Sequence, residues 1–138
     1  MPHYEIIDHT ADIGIRAFGK DLKKLFSTTA FGMFEILVDL NLVSENITKS
    51  VVVEAEDLEQ LLVKWLSELL YLYETKGIIF KRFEIKKITP QRLESNVFGE
   101  NINPSKHQIK TEIKNVTYHQ LRVERTKDGW LAEVIFDL

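Results

Sequence analysis

Between positions 21 and 38 the apolar residues Leu22, Leu25, Phe26, Ala30, Met33, Phe34 and Leu37 recur at spacings of three and four, which lines one side of an α-helix. Asp21, just ahead of this stripe, is the expected N-cap. A second stripe, Leu58, Leu61, Leu62, Trp65, Leu66, Leu69 and Tyr73, predicts another helix. Glu59, Gln60, Lys64 and Glu68 fall on its wet side, and Gly77 is placed to end it. Around these helices the period drops to two. Val51, Val52 and Val53 read as a short strand, while Ile78-Ile79-Phe80 starts another that runs toward Ile85 and Ile88 and is closed by Pro90. Glu100 to Ser105 reads as loop, and beyond it Ile109, Thr111 and Ile113 alternate with Lys110, Glu112 and Lys114, as in a strand with one buried and one solvated side.

The C-terminal segment predicts a hairpin around the turn signal Asp128-Gly129. With Lys127 opposite Trp130, Leu121 faces Phe136 and Val123 faces Val134, so four apolar side chains share a face; one residue shorter, Val123 meets Glu133 instead. The same register sets Gln120 opposite Asp137 and His119 opposite Leu138. The fold class that follows is α+β, with two amphipathic helices packed on a mainly antiparallel β-sheet. A doubly wound parallel sheet needs helices between most strands, and only two are available.

Length and composition narrow the chemistry. The 138 residues, 44% hydrophobic and 28% charged, suit one domain spanning residues 1–138 with a core that needs no staples. Cysteine is absent, which excludes disulfides, thiolate nucleophiles and cysteine-ligated zinc or iron–sulfur clusters, so any metal must be held by oxygen or imidazole. Lys+Arg 18 against Asp+Glu 21 leaves a net charge of −3, which provides no overall attraction to nucleic acid or an anionic membrane. No apolar stretch approaches the roughly 18–20 residues that span a bilayer, and Met1 is not followed by a basic region and an apolar run. The cytoplasm is the expected compartment.

The densest polar group is Asp8-His9-Thr10-Ala11-Asp12, at the entrance to the alternating strand Ile13, Ile15, Ala17. Such residues also form turns by bonding their own backbone. Asp137 brings a second carboxylate next to the terminal carboxylate of Leu138; with Asp12 alongside, these hard oxygens suit Ca²⁺, Mg²⁺ or Mn²⁺. A plain ion pair of Asp137 with Arg122 is the competing account. His119 and His107 are the other imidazoles of interest, but no residues are spaced as a nucleophilic triad and the glycines do not form a phosphate-cradling loop. Lys81, Arg82, Lys86 and Lys87 around Phe80, Phe83 and Ile85 superficially suggest RNA contact, although burial of the aromatics explains the same pattern.

The run His9-Thr10-Ala11-Asp12-Ile13-Gly14, then Gly99-Glu100 with His107, the segment Glu112-Ile113-Lys114-Asn115-Val116-Thr117-Tyr118-His119, Trp130, and the terminal Val134-Ile135-Phe136-Asp137-Leu138 together resemble the archease family from end to end. The resemblance implies a small α+β protein that assists an RtcB-type RNA-splicing ligase in tRNA splicing and RNA repair. It would promote guanylylation of the ligase and its turnover without being an enzyme itself. On the same resemblance Asp12, Asp137 and the free carboxylate of Leu138 hold a divalent cation, typically Ca²⁺, with Mg²⁺ or Mn²⁺ as the other candidates. The resemblance gives Lys114 the role in ligase activation; His9 and His119 are candidates to stand behind the metal ligands, and contact with RNA would be indirect. Asn115 stands where the family usually has alanine. Two other readings remain in play. One is a metal-dependent phosphate-ester hydrolase using Asp12, Asp137 and His119; the other is an RNA-binding modulator of a tRNA-modifying enzyme.

Overall fold

In the computed structural model, which describes residues 2–8 and 11–138, both apolar stripes become helices. Helix α1 spans Leu22–Leu37, and the Asp21 side chain accepts from the Lys24 amide at 2.8 Å, as expected of the N-cap. Helix α2 spans Leu58–Lys76. Asp57, a cap not singled out from the sequence, accepts from the Gln60 amide at 2.9 Å, and Gly77 ends the helix in the left-handed conformation at φ 64°.

The strands are β1 (His3–Asp8), β2 (Asp12–Gly19), β3 (Ile47–Glu54), β4 (Ile78–Thr89), β5 (Arg92–Asn101), β6 (Asn115–Val116), β7 (Arg122–Thr126) and β8 (Gly129–Asp137). They form two sheets rather than the one expected, and all their pairings are antiparallel. One sheet runs β1-β2-β8, with β6 and β7 pairing successive parts of the far side of β8; the other runs β3-β5-β4. Helix α1 packs against β2 of the first sheet and β4 of the second, so it ties the two together. At the core Phe34 meets Phe80 and Phe83 with ring centroids 5.8 Å apart, and the fully buried Trp65 donates its indole N–H to the Phe26 carbonyl at 3.0 Å. No helix among the described residues is long and apolar enough to cross a membrane.

Strand β4 ends at Thr89 just before Pro90, as expected. Its pairing with β5 shifts between Phe80 and Arg82 and again between Ile85 and Lys87. Each bulge resets the alternation, so Phe80 and Phe83, then Ile85 and Ile88, point inward at a spacing of three. Arg82 is meanwhile paired with Glu45 at 2.6 Å and with Glu84, and it lies 3.7 Å over the Phe98 ring. Part of the basic run is thereby committed within the molecule.

Three local expectations are corrected. Glu100 and Asn101 are not loop but the end of β5. Residues 109–114 are not a laddered strand: a single bridge joins Ile109 to Val38, and Ile109 is 47% exposed while Ile113 is 1% exposed. The C-terminal hairpin slips two residues from the expected register, so that Thr126 pairs with Gly129, Arg125 with Trp130 and Val123 with Ala132. A two-residue slip keeps every side chain on its intended face. The turn residues become Lys127 and Asp128, and the glycine is needed one position later. Gly129 sits at φ 151°, and a Cβ there would come within 2.3 Å of the Gly19 carbonyl oxygen.

Candidate functional site

The β2–β8 ladder builds the site. Ile15, Ala17, Ala132, Val134 and Phe136 are fully buried on the helix side, and slipping either strand by one residue would turn them outward. On the opposite face a row of alternating charge crosses the sheet. Glu5 meets Arg16 at 3.4 Å, Arg16 meets Glu133 at 3.3 Å, and Glu133 accepts from Arg122 at 2.8 Å. Each exposed pair contributes only about 0.2–1 kcal/mol, but a slipped register would oppose like charges. In the register so enforced, Asp12 lies directly opposite Asp137.

Directly opposed residues share a face, with Cβ atoms about 4.5–5.5 Å apart. The acidic residues that open β2 and close β8 therefore meet side by side. Asn115 of β6 occupies the position opposite Asp137 on the other side, extending the row to Asp12, Asp137 and Asn115. The Lys114 amide donates to the Asp137 carbonyl at 2.8 Å, which roots Lys114 beside the pair while its side chain stays exposed. Arg122, the other partner considered for Asp137, is engaged by Glu133 at 2.8 Å and Glu124 at 3.1 Å.

One carboxylate oxygen, Oδ1 of Asp12, is buried and has no hydrogen-bond partner among the described residues. A buried anionic oxygen without a donor is costly unless a cation meets it, so this donor set fits a hard divalent ion. Among the described residues no group of three Asp, Glu or His side chains converges here. Further ligands would come from the Leu138 carboxylate, the Asn115 amide oxygen or backbone carbonyls.

A second acidic site has opposite surroundings. Glu100, 8% exposed at the end of β5, accepts from the Ser44 amide at 3.0 Å, Lys106 Nζ at 2.8 Å and His107 Nε2 at 2.6 Å through one oxygen. Its other oxygen accepts from Asn46 Nδ2 at 3.4 Å. His107 Nδ1 accepts from the Asn103 amide at 2.9 Å, which leaves the ring proton on Nε2, facing Glu100. The Lys106 ammonium, followed by the Ser44 amide, holds the Glu100 carboxyl down to about 2 against the opposing effect of burial.

The chain matches the Archease protein family (MTH1598/TM1083) over residues 4–138. Protein archease of Methanosarcina acetivorans is 43% identical over 98% of this chain and 95% of its own length. That of Pyrococcus abyssi is 38% identical over 100% of both. The chain belongs to the archease family. The solution structure of Methanobacterium thermoautotrophicum protein 1598 superposes with a TM-score of 0.85 at 36% identity, covering 98% of each chain. The Thermotoga maritima crystal structure, described as an archease and possible chaperone, gives a TM-score of 0.66 at 25% identity over 96% of this chain and 94% of its own.

Within this archease architecture the residues expected at the site fare differently. Asp12, Asp137 and Lys114 are brought together, and Leu138 follows Asp137 directly. His9 and Thr10 lie outside the described residues. His119 does not take the expected place, because pairing along β7 stops at Arg122 and Asn115, rather than Gln120, lies opposite Asp137. His119 instead occupies an exposed turn in which Gln120 adopts φ 53°. Asn115 joins the acidic row without any signal in the sequence, since the β6 pairing that places it is only two residues long and has no periodicity.

Proposed function

We propose that this archease-family chain is a non-catalytic, cytoplasmic activator of an RtcB-type RNA-splicing ligase, promoting the ligase's guanylylation and turnover in tRNA splicing and RNA repair. The reading rests on the register that sets Asp12 opposite Asp137 with Lys114 rooted beside them. Asp12, Asp137 and the Leu138 carboxylate would hold a divalent cation, Ca²⁺ first, with Mg²⁺ or Mn²⁺ as alternatives. Bound there, such an ion supplies positive charge against the phosphates of nucleotidyl transfer. The exposed Lys114 ammonium offers a second positive group to a phosphate or a carboxylate of the ligase. Its backbone bond to Asp137 fixes where that group starts. The net charge of −3 gives the chain no overall attraction to RNA, so the ligase is its main partner.

The phosphate-ester hydrolase alternative loses its base, since the register that set His119 opposite Leu138 does not form. The test is ligase guanylylation measured alone, with the wild-type chain, and with Asp137→Ala and Lys114→Ala. Acceleration by wild type and its loss in both variants is the expected result. Equal rates in all four reactions would defeat the proposal.

A further inference from the structure

At the far end of the β2–β8 ladder, about 23 Å from the acidic pair at the rise of a strand, a cleft of about 690 Å³ opens beside the start of α1 and the β7–β8 turn. That volume lies within the usual range for small-ligand sites. His3, Phe18 and Trp130 give the cleft aromatic surface, Lys20 and Lys24 give it positive charge, and Asp128 adds a carboxylate. His3 and Phe18 stack with centroids 4.5 Å apart. Gly19 and Gly129 also line it, where Cβ atoms would collide with backbone at 2.5 and 2.3 Å, so bare main chain forms part of the wall. Neither lysine is in an ion pair among the described residues. None of these groups takes part in the acidic site.

We propose that this cleft binds a ribonucleotide unit. Aromatic surface accepts a planar base, and unpaired lysines accept a phosphate. Asp128 decides between anions. A fatty acid or a bare polyanion would leave that carboxylate facing negative charge, whereas the ribose hydroxyls give it donors. The unit is either a free nucleotide or part of an RNA strand. The inference does not depend on the reading of the acidic pair.

Trp130 reports on the site, because Trp65, the other tryptophan, is fully buried and tied to Phe26. Adenosine monophosphate, its 2′-deoxy form, inorganic phosphate and a 5′-phosphorylated RNA hexamer are titrated against Trp130 emission. Adenosine monophosphate should quench saturably, the deoxy form should bind about fivefold more weakly, and phosphate should not quench. Lys20→Glu with Lys24→Glu should weaken binding about tenfold or more, with circular dichroism showing that the fold is kept. Acidic residues at the start of α1 suit its dipole, so folding is not at risk. Asp128→Asn should remove the preference for ribose, and Asp137→Ala should leave binding unchanged. A hexamer that binds about tenfold more tightly than the mononucleotide assigns the cleft to an RNA strand, and equal affinity assigns it to a free nucleotide. No saturable quenching by either, a charge-reversed variant that binds like wild type, equal affinity for the ribo and deoxy forms, or loss on Asp137→Ala would overturn the assignment.

Discussion

Glu100 and the Asp12–Asp137 pair are both acidic and both lie at strand ends, yet their surroundings are opposite. Around Glu100 an amide, an ammonium and an imidazole converge on one oxygen, and a side-chain amide meets the other. Its acceptor capacity is taken up inside the molecule, and its role is to fasten residues 44–46 and 103–107 to the end of β5. Asp12 keeps a buried oxygen without a donor among the described residues, and the residue opposite it is another acid. Carboxylates that serve the fold are given donors. Those left without them are available to something from outside.

The sharpest way to break this contrast is to truncate one acid at each site and compare stability in the absence of metal. Glu100→Ala strips partners from the Ser44 amide and from the buried His107 Nε2, and should cost about 2–4 kcal/mol. Asp137→Ala should cost less than about 1 kcal/mol or stabilise slightly, because it removes a like-charge neighbour. Urea unfolding midpoints, with unchanged m values, measure both. Equal losses at the two sites would mean that the acidic pair is structural too.

Added cation should reverse the ranking. A ligand that binds only the folded state at a hundred times its Kd stabilises by about 2.7 kcal/mol, which for a chain of this length raises Tm by roughly 6–10 °C. We expect that rise with Ca²⁺ for wild type and Glu100→Gln, and its absence in Asp12→Asn and Asp137→Asn. Differential scanning calorimetry with and without chelator is the measurement.

The same contrast shows where sequence reasoning works. Both helices, the N-cap Asp21, the stop at Gly77 and the antiparallel character were legible because apolar spacing and capping act over a few residues. Strand β5 is not legible in the pattern, since its inward positions read Leu93, Ser95, Val97 and Gly99. Ser95 is admitted by its bond to the Val51 carbonyl at 2.9 Å, and Gly99 by the nearness of Ile79, so neither looks apolar. At the site, Asp12, Asp137 and Lys114 could be named from the family's motif. That Asp12 and Asp137 share one row, with Lys114 rooted beside them, depends on pairing between distant parts of the chain, which local pattern does not contain. The place of His119 is illegible for a related reason: a two-residue slip keeps every side chain on its face, so the apolar pattern does not choose between the two registers.

Acid provides a gentler perturbation. Glu100 is held at about 2, below its ordinary 4.5, so the folded carboxyl stays ionised where the unfolded one takes up a proton. Its contribution is complete above the ordinary value and fades as pH falls from there toward 2. The gap in urea midpoint between wild type and Glu100→Gln should therefore be constant from pH 7 to pH 5 and narrow by pH 2.5. A gap that widened on acidification would have the wrong sign for a carboxylate stabilised by donors.

The smallest expected effect concerns Asn115, the neutral member of the row. Asn115 lies opposite Asp137, on the same face as Asp12, and is exposed to solvent. Its amide oxygen is neutral, so replacing it should matter less to a cation than removing either carboxylate. Asn115→Ala should weaken Ca²⁺ binding by less than about tenfold, under 1.4 kcal/mol, and leave metal-free stability within about 0.5 kcal/mol, as for an exposed surface position. Calorimetric titration checks the first figure and urea unfolding the second. If Asn115→Ala abolished binding while Asp12→Asn preserved it, the ion would lie between β8 and β6 rather than between β2 and β8. The link between the two ends of the chain would then have to be given up.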